Sequence, residues 1–80
     1  SDKSMEPVLK LNSYVFVAFN LPLDHKDIGI FEYNNKIIIR RFLIRKKHLV
    51  LRAENEKIDD VIISEDDNFI IIGKIVGTSE

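Results

Sequence analysis

Ile28-Gly29-Ile30-Phe31-Glu32-Tyr33-Asn34-Asn35-Lys36-Ile37-Ile38-Ile39-Arg40-Arg41-Phe42-Leu43 is the stretch that decides the fold class. Its two halves are rich in Ile, Phe and Tyr, side chains that suit a pleated, half-buried surface better than a helix. The Asn34-Asn35 pair between them tolerates positive φ better than most residues, which suits a tight hairpin turn. The stretch therefore predicts two antiparallel strands, Ile28 to Tyr33 and Lys36 to Leu43.

The same pattern extends outward in both directions. Upstream, Tyr14 to Phe19 is continuously apolar and β-prone, as a strand covered on both faces would be, and Leu21-Pro22-Leu23-Asp24 breaks it. Ser4 to Lys10 can make a single helical turn around Pro7, too short to stand as an independent helix because nucleation is costly. Downstream, Ile44 to Lys47 leads into a short apolar segment, His48 to Ala53. A charged stretch from Glu54 to Asp60 follows, then Val61-Ile62-Ile63, an acidic turn at Glu65-Asp66-Asp67-Asn68, and a last strand from Phe69 to Thr78. Short strands separated by polar turns predict a mainly β, compact fold of mostly antiparallel strands. No repeat, low-complexity tract or Pro/Gly/Ser linker divides the chain, so residues 1–80 form one domain.

Composition narrows the function classes. A domain of 80 residues buries only roughly 60% of the surface its unfolded chain exposes, so a partner surface is plausible. The net charge of −1 supplies no overall electrostatic reason to bind nucleic acid. The absence of cysteine excludes a disulfide framework, a thiolate zinc site and a cysteine nucleophile. No apolar run reaches transmembrane length and no signal peptide is recognisable, so the expectation is a cytoplasmic protein with no membrane partner.

Few side chains suggest chemistry on their own. His25, beside Asp24 and Asp27, reads as a solvated loop residue, and His48 as a half-exposed residue opening a strand. Asp66-Asp67-Asn68 lacks the spacing of a helix-loop-helix calcium site and reads as a turn. Arg40, Arg41, Arg45, Lys46 and Lys47 form the one basic concentration, which reads as a solvated hairpin end paired with nearby acids, since no aromatic residues interleave it. No metal site and no cofactor is expected.

Ser4-Met5-Glu6-Pro7 resembles the Ser-Met-x-Pro motif of the LexA and phage CI-like repressor peptidases, which belong to a family of self-cleaving serine peptidases related to signal peptidase. The resemblance continues in order through Asp27-Ile28-Gly29-Ile30-Phe31, Ile38-Ile39-Arg40-Arg41-Phe42, Leu51-Arg52-Ala53-Glu54-Asn55 and Phe69-Ile70-Ile71-Ile72-Gly73-Lys74-Ile75-Val76-Gly77. It implies that Ser4 occupies the nucleophile position and that residue 40 occupies the position of a lysine general base. A serine hydroxyl needs such a base, and lysine serves when burial supplies its neutral amine. Here the residue is Arg40, which stays protonated and cannot take the proton. Lys36 shares the strand parity of Arg40 but lies about 13 Å away along a strand; Lys3 adjoins Ser4, and Lys46 and Lys47 fall in a turn. Without the resemblance, Ser4 reads as an ordinary helix-entry residue.

The resemblance further implies a C-terminal domain that dimerises a repressor, with a helix-turn-helix domain and a cleavage linker absent from this chain. Operator DNA would then be bound only through that absent domain, and an antirepressor or co-protease would be a further partner. The expected function is a dimerisation domain with a peptidase-like fold that does not self-cleave. An active self-cleaving peptidase, with Arg40 tolerated or the register shifted, is the alternative. A peptide-binding module that kept the cleft is a third reading. Self-association is expected at the C-terminal strand, with Phe69, Ile70, Ile72 and Ile75 as the residues involved, because a long Ile-rich edge invites pairing. Two departures from the family pattern bear on loops. The family often has Gly where this chain has Asn12-Ser13 and Lys26-Asp27, so the Lys26 turn is expected to differ. Asp59-Asp60 replaces a common Pro-Pro and is expected to loosen the Glu54 to Asp60 loop.

Overall fold

The computed structural model describes residues 4–6, 9 and 13–79. Six strands form one antiparallel sheet: β1 (Val15–Ala18), β2 (Ile28–Tyr33), β3 (Lys36–Ile44), β4 (Leu49–Arg52), β5 (Val61–Ile62) and β6 (Phe69–Thr78). Their order across the sheet is β1-β6-β2-β3-β4-β5. The mainly β reading of the sequence holds, and each expected strand is present within a residue or two of its expected bounds. At the N-terminus the Leu9 N–H donates to the Met5 carbonyl at 2.7 Å, the span of one helical turn. Ser4–Glu6 are in turn conformation, and Pro7, Val8 and Lys10 of the expected Ser4 to Lys10 turn lie outside the described residues. No helix among the described residues is long and apolar enough to cross a membrane.

Asn34 and Asn35 both have positive φ, 47° and 72°, as a two-residue hairpin turn of the hand that matches strand twist requires. This turn sets Tyr33 opposite Lys36, and the ladder then runs Phe31↔Ile38, Gly29↔Arg40 and Ile28↔Arg41. Because alternate residues of a strand face opposite sides, Phe31, Phe42 and Leu51 meet on one face and form the core. Phe31 and Leu51 are fully buried. The Phe31 ring lies between two others, with centroids 5.9 Å from Phe42 and 5.6 Å from Phe69. Burying a side chain of this size contributes roughly 1.5–3 kcal/mol.

Gly29 belongs to this core by what it lacks. A Cβ there would lie 2.5 Å from Leu23 Cδ2 and 2.7 Å from Phe31 Cζ, so the close approach of those side chains requires glycine.

Two sequence expectations are corrected here. Tyr14 to Phe19 is not covered on both faces: β1 is an edge strand, and Tyr14, Phe16 and Phe19 are exposed. Conversely β6, read as a long edge, lies between β1 and β2 and is hydrogen-bonded on both sides. A continuous apolar run thus marks an edge strand here, and a different neighbour covers the Ile-rich one. β6 carries register shifts against both neighbours, between Ile30 and Phe31 on β2 and between Phe16 and Val17 on β1. Each changes which residues of β6 share a face.

The Lys26 turn keeps a left-handed residue in spite of its side chain, with φ at 78°. That conformation costs a residue with a Cβ about 1–2 kcal/mol, and the surroundings enforce it. The Lys26 N–H donates to the Phe42 carbonyl at 2.7 Å, and the Phe42 N–H donates to the Asp27 carbonyl at 2.7 Å. Arg41 Nη1 donates to the Lys26 carbonyl at 2.8 Å, and the Asp24 N–H donates to Asp27 Oδ2 at 2.8 Å. The Glu54 to Asp60 loop is likewise tied without prolines: Arg52 donates two parallel hydrogen bonds to Asp60, at 3.0 and 2.8 Å. Within it, the Lys57 N–H donates to Asn55 Oδ1 and the Ile58 N–H to the Asn55 carbonyl, each at 3.0 Å.

Two predictions follow from these contacts. Phe31→Ala should cost about 3–5 kcal/mol, enough to unfold much of a marginal domain, whereas Ile37→Ala, 58% exposed, should cost under about 0.5 kcal/mol; urea melts of both variants measure the difference. The second concerns acid. Asp27 is held below its usual 3.8 by the Asp24 N–H and then by Lys74, Asp60 by its hydrogen bond from Arg52, and Asp67 by the Ser64 N–H and then by Asn34. The folded chain therefore keeps these carboxylates ionised to lower pH than the unfolded chain does. Their stabilisation is fully present above the unfolded value and fades as pH falls through the lower folded values. Melting midpoints recorded from neutral to strongly acidic pH should drop in that window, and less steeply for Asp27→Asn.

Candidate active site around Ser4 and Arg40

The face of the sheet that holds Phe31 and Phe42 also presents Arg40, two residues before Phe42 and directly opposite Gly29. Charged residues seldom face a core, and only 8% of Arg40 is exposed. The N-terminal turn brings Ser4 to this end of the face, and Ser4, Met5 and Leu9 are all buried. Its position is fixed from β4's side, because the Asn55 N–H donates to the Ser4 carbonyl at 2.8 Å. Ser4 itself is 2% exposed.

These placements bring the two expected site residues together. Arg40 Nη1 donates to Ser4 Oγ at 2.6 Å and to the Ile39 carbonyl at 2.9 Å. A nucleophile and a base at this separation would be in range for proton transfer. The direction of the hydrogen bond is the opposite of what catalysis needs: the guanidinium donates, and it has no lone pair with which to accept the serine proton. The pair can orient and bury the hydroxyl, and it places positive charge beside any oxygen that approaches Ser4. It cannot generate an alkoxide by itself.

The next charge along β3 faces the other way. Arg41, next along β3, donates through Nε to Glu54 Oε1 at 2.6 Å, and its Nη2 makes a second contact with the same oxygen. Lys74, which pairs with Gly29 and so shares the face of Arg40, is held by Asp27, its Nζ 3.3 Å from Oδ2. Lys36 stands at the hairpin end opposite Tyr33, and Lys46 and Lys47 are exposed on the β3–β4 turn; Lys3 lies outside the described residues. The basic run read from the sequence is thus split, with Arg40 buried on one face, Arg41 ion-paired, and Arg45, Lys46 and Lys47 exposed.

The other residues singled out in the sequence serve turns. His25 is exposed and its Nδ1 accepts from the Ile44 N–H at 2.9 Å. His48 is exposed rather than half-exposed, and its carbonyl accepts from the Arg45 N–H at 3.0 Å. Asp67 Oδ2 accepts from the Ser64 N–H at 2.8 Å, and Oδ1 from Asn34 Nδ2 at 3.0 Å, joining the β5–β6 turn to the β2–β3 turn. Of the four residues expected to self-associate, Phe69 packs on Phe31, Ile70 is 51% exposed, and Ile72 and Ile75 are half-buried. Sequence reasoning missed the supporting parts of the site. Asn55 acts through its backbone, which carries no side-chain signal, and Gly29 acts through the absence of a side chain.

A double-mutant cycle of Ser4→Ala and Arg40→Met measures the pair. A charge-assisted, buried hydrogen bond predicts a coupling of about 1.5–3 kcal/mol in chemical denaturation.

Comparison with known proteins agrees with this geometry. The Peptidase S24-like family model matches residues 1–76. The LexA repressor of Clostridium novyi (strain NT) is 39% identical over 44 residues, which is 55% of this chain and 21% of that protein. The chain therefore spans about a fifth of the length of the curated relative it matches. A family match across almost the whole chain, a mainly β fold, and a serine and a basic residue in contact at the two motif positions converge: this chain belongs to the Peptidase S24-like family, with the LexA-like, peptidase-like fold that its ordered motifs suggested.

Proposed function

We propose that this domain is the C-terminal dimerisation module of a phage-type or LexA-type transcriptional repressor, and that its peptidase-like site is silent. The observation that carries the reading is the 2.6 Å hydrogen bond from Arg40 to Ser4. The nucleophile position is occupied and buried, while the base position holds a group that keeps its proton at every physiological pH. Operator binding belongs to a separate DNA-binding domain of the same cytoplasmic protein, consistent with a net charge of −1 here. Two linked half-sites bind far better than one, which is what a dimerisation module provides. Inactivation without self-cleavage then calls for an antirepressor or another partner protein.

Self-association is supported by the apolar surface. Ile70 and Val76 of β6 are among the exposed large hydrophobic residues, and Phe16 of the adjoining β1 is another. Because β6 is an interior strand, pairing of two copies through it uses side chains and not backbone hydrogen bonds.

Two experiments test the reading. The repressor carrying this domain, incubated at alkaline pH, should stay intact, and an Arg40→Lys variant should gain slow cleavage that a further Ser4→Ala change abolishes. Ser4-dependent cleavage of the unmodified protein would instead establish the alternative, an active self-cleaving peptidase. For association, light scattering at micromolar concentration should report a dimer, and Ile70→Lys should shift it to a monomer. A monomeric mass for the unmodified chain would remove the dimerisation reading.

A further inference from the structure

The face of the sheet opposite Phe42 and Leu51 carries a feature that the Ser4 site does not use. Leu43 pairs with Val50, and Val50 pairs with Ile62, so these three share that face. Arg45 and Arg52 lie two residues beyond Leu43 and Val50, and strand alternation sends them to the same side. The Arg45 N–H to His48 carbonyl bond closes the β3–β4 turn and holds Lys46 and Lys47 at its tip. A cavity of about 480 Å³ results, lined by Arg45, Lys46, Lys47, His48, Arg52 and Asp60 around a floor of Val50 and Ile62.

Its chemistry is mixed in a specific way. Four cationic side chains surround it, and the carboxylate among its lining residues, Asp60, is engaged by both nitrogens of the Arg52 fork. The exposed apolar area of its floor comes from Ile62, left 59% exposed, beside the buried Val50. The whole chain carries a net charge of −1, so this corner is a local reversal of sign. Arg45, Lys46 and Lys47 project from one turn, whereas Ile62 comes from β5 and Arg52 from β4.

We propose that this cavity is a docking site for an acidic peptide segment of a partner protein, one apolar side chain seated on Val50 and Ile62 and flanking carboxylates paired with Arg45, Lys46 and Lys47. Charge complementarity selects an anionic occupant. The floor selects a peptide over a nucleic-acid backbone, because phosphates gain nothing from covering Ile62. The cavity lies on the opposite face of the sheet from Arg40, so its occupancy is independent of the peptidase-like site.

A fluorescein-labelled peptide, Glu-Asp-Glu-Leu-Phe-Glu-Asp, titrated with the chain and read by fluorescence anisotropy, tests the proposal. Saturable binding is expected, weakened about tenfold by Lys46→Glu combined with Lys47→Glu and by a similar factor by Ile62→Asn. All three positions are exposed, and circular dichroism verifies that the variants fold. Arg40→Met should bind as the unmodified chain does. No saturable binding overturns the proposal. So does a loss confined to the charge variants with Ile62→Asn unaffected, which indicates a general polyanion surface, and so does tighter binding of a DNA oligonucleotide of equal charge.

Discussion

The Asn34-Asn35 turn determines which residue of β3 stands opposite which residue of β2, and most of the molecule depends on that register. Slipping the ladder by one residue would move every side chain of β3 to the opposite face. Phe42 would leave Phe31, and Arg40 would leave the buried face where Ser4 lies. One hairpin therefore builds the hydrophobic core and positions the candidate site. The turn is itself braced: the Asn34 N–H donates to the Asn68 carbonyl at 2.8 Å, and the Asn68 N–H donates to Asn34 Oδ1 at 2.9 Å. The β5–β6 turn thus fastens the hairpin that sets the register.

A buried guanidinium is expensive unless hydrogen bonds satisfy it. Arg40 Nη1 meets part of that requirement with the Ser4 hydroxyl and the Ile39 carbonyl. The same contact accounts for the burial of Ser4 and for the chemical silence proposed for it. In a site of this shape a lysine would offer a compact amine whose proton can leave on desolvation; an arginine offers a delocalised charge that burial scarcely discharges. A guanidinium at this position supplies a donor to Ser4 and no lone pair for its proton.

The two faces of the sheet divide the work. The face holding Phe31, Phe42, Leu51 and Arg40 is closed over by the N-terminal turn and the Leu23 side chain. The opposite face, with Ile37, Ile62 and Ile70 exposed, retains apolar area that a domain of this size has too few residues to cover. The proposed docking and self-association would both draw on such area, and the arginines and lysines around Ile62 distinguish one part of it from the rest.

Much of this was legible in the chain alone. The six strands, the hairpin turn and the pairing of positions 4 and 40 followed from β-propensity, from two asparagines suited to positive φ, and from five ordered motifs. These are local properties, and neighbouring residues carry them. Strand order was not local: Tyr14 to Phe19 reads as buried yet lies on an edge, while the Ile-rich β6 is interior, because apolar content reports burial without naming the neighbour that supplies it. The faces of Ile70 and Ile72 were undetermined for a related reason. Register shifts in β6 break the two-residue alternation on which any such assignment rests, and they arise from how β6 meets β1 and β2. The roles of Gly29 and of the Asn55 N–H, and the cavity joining Arg45 to Ile62, likewise exist only once distant segments meet, since each depends on space or backbone groups that no single stretch of sequence displays.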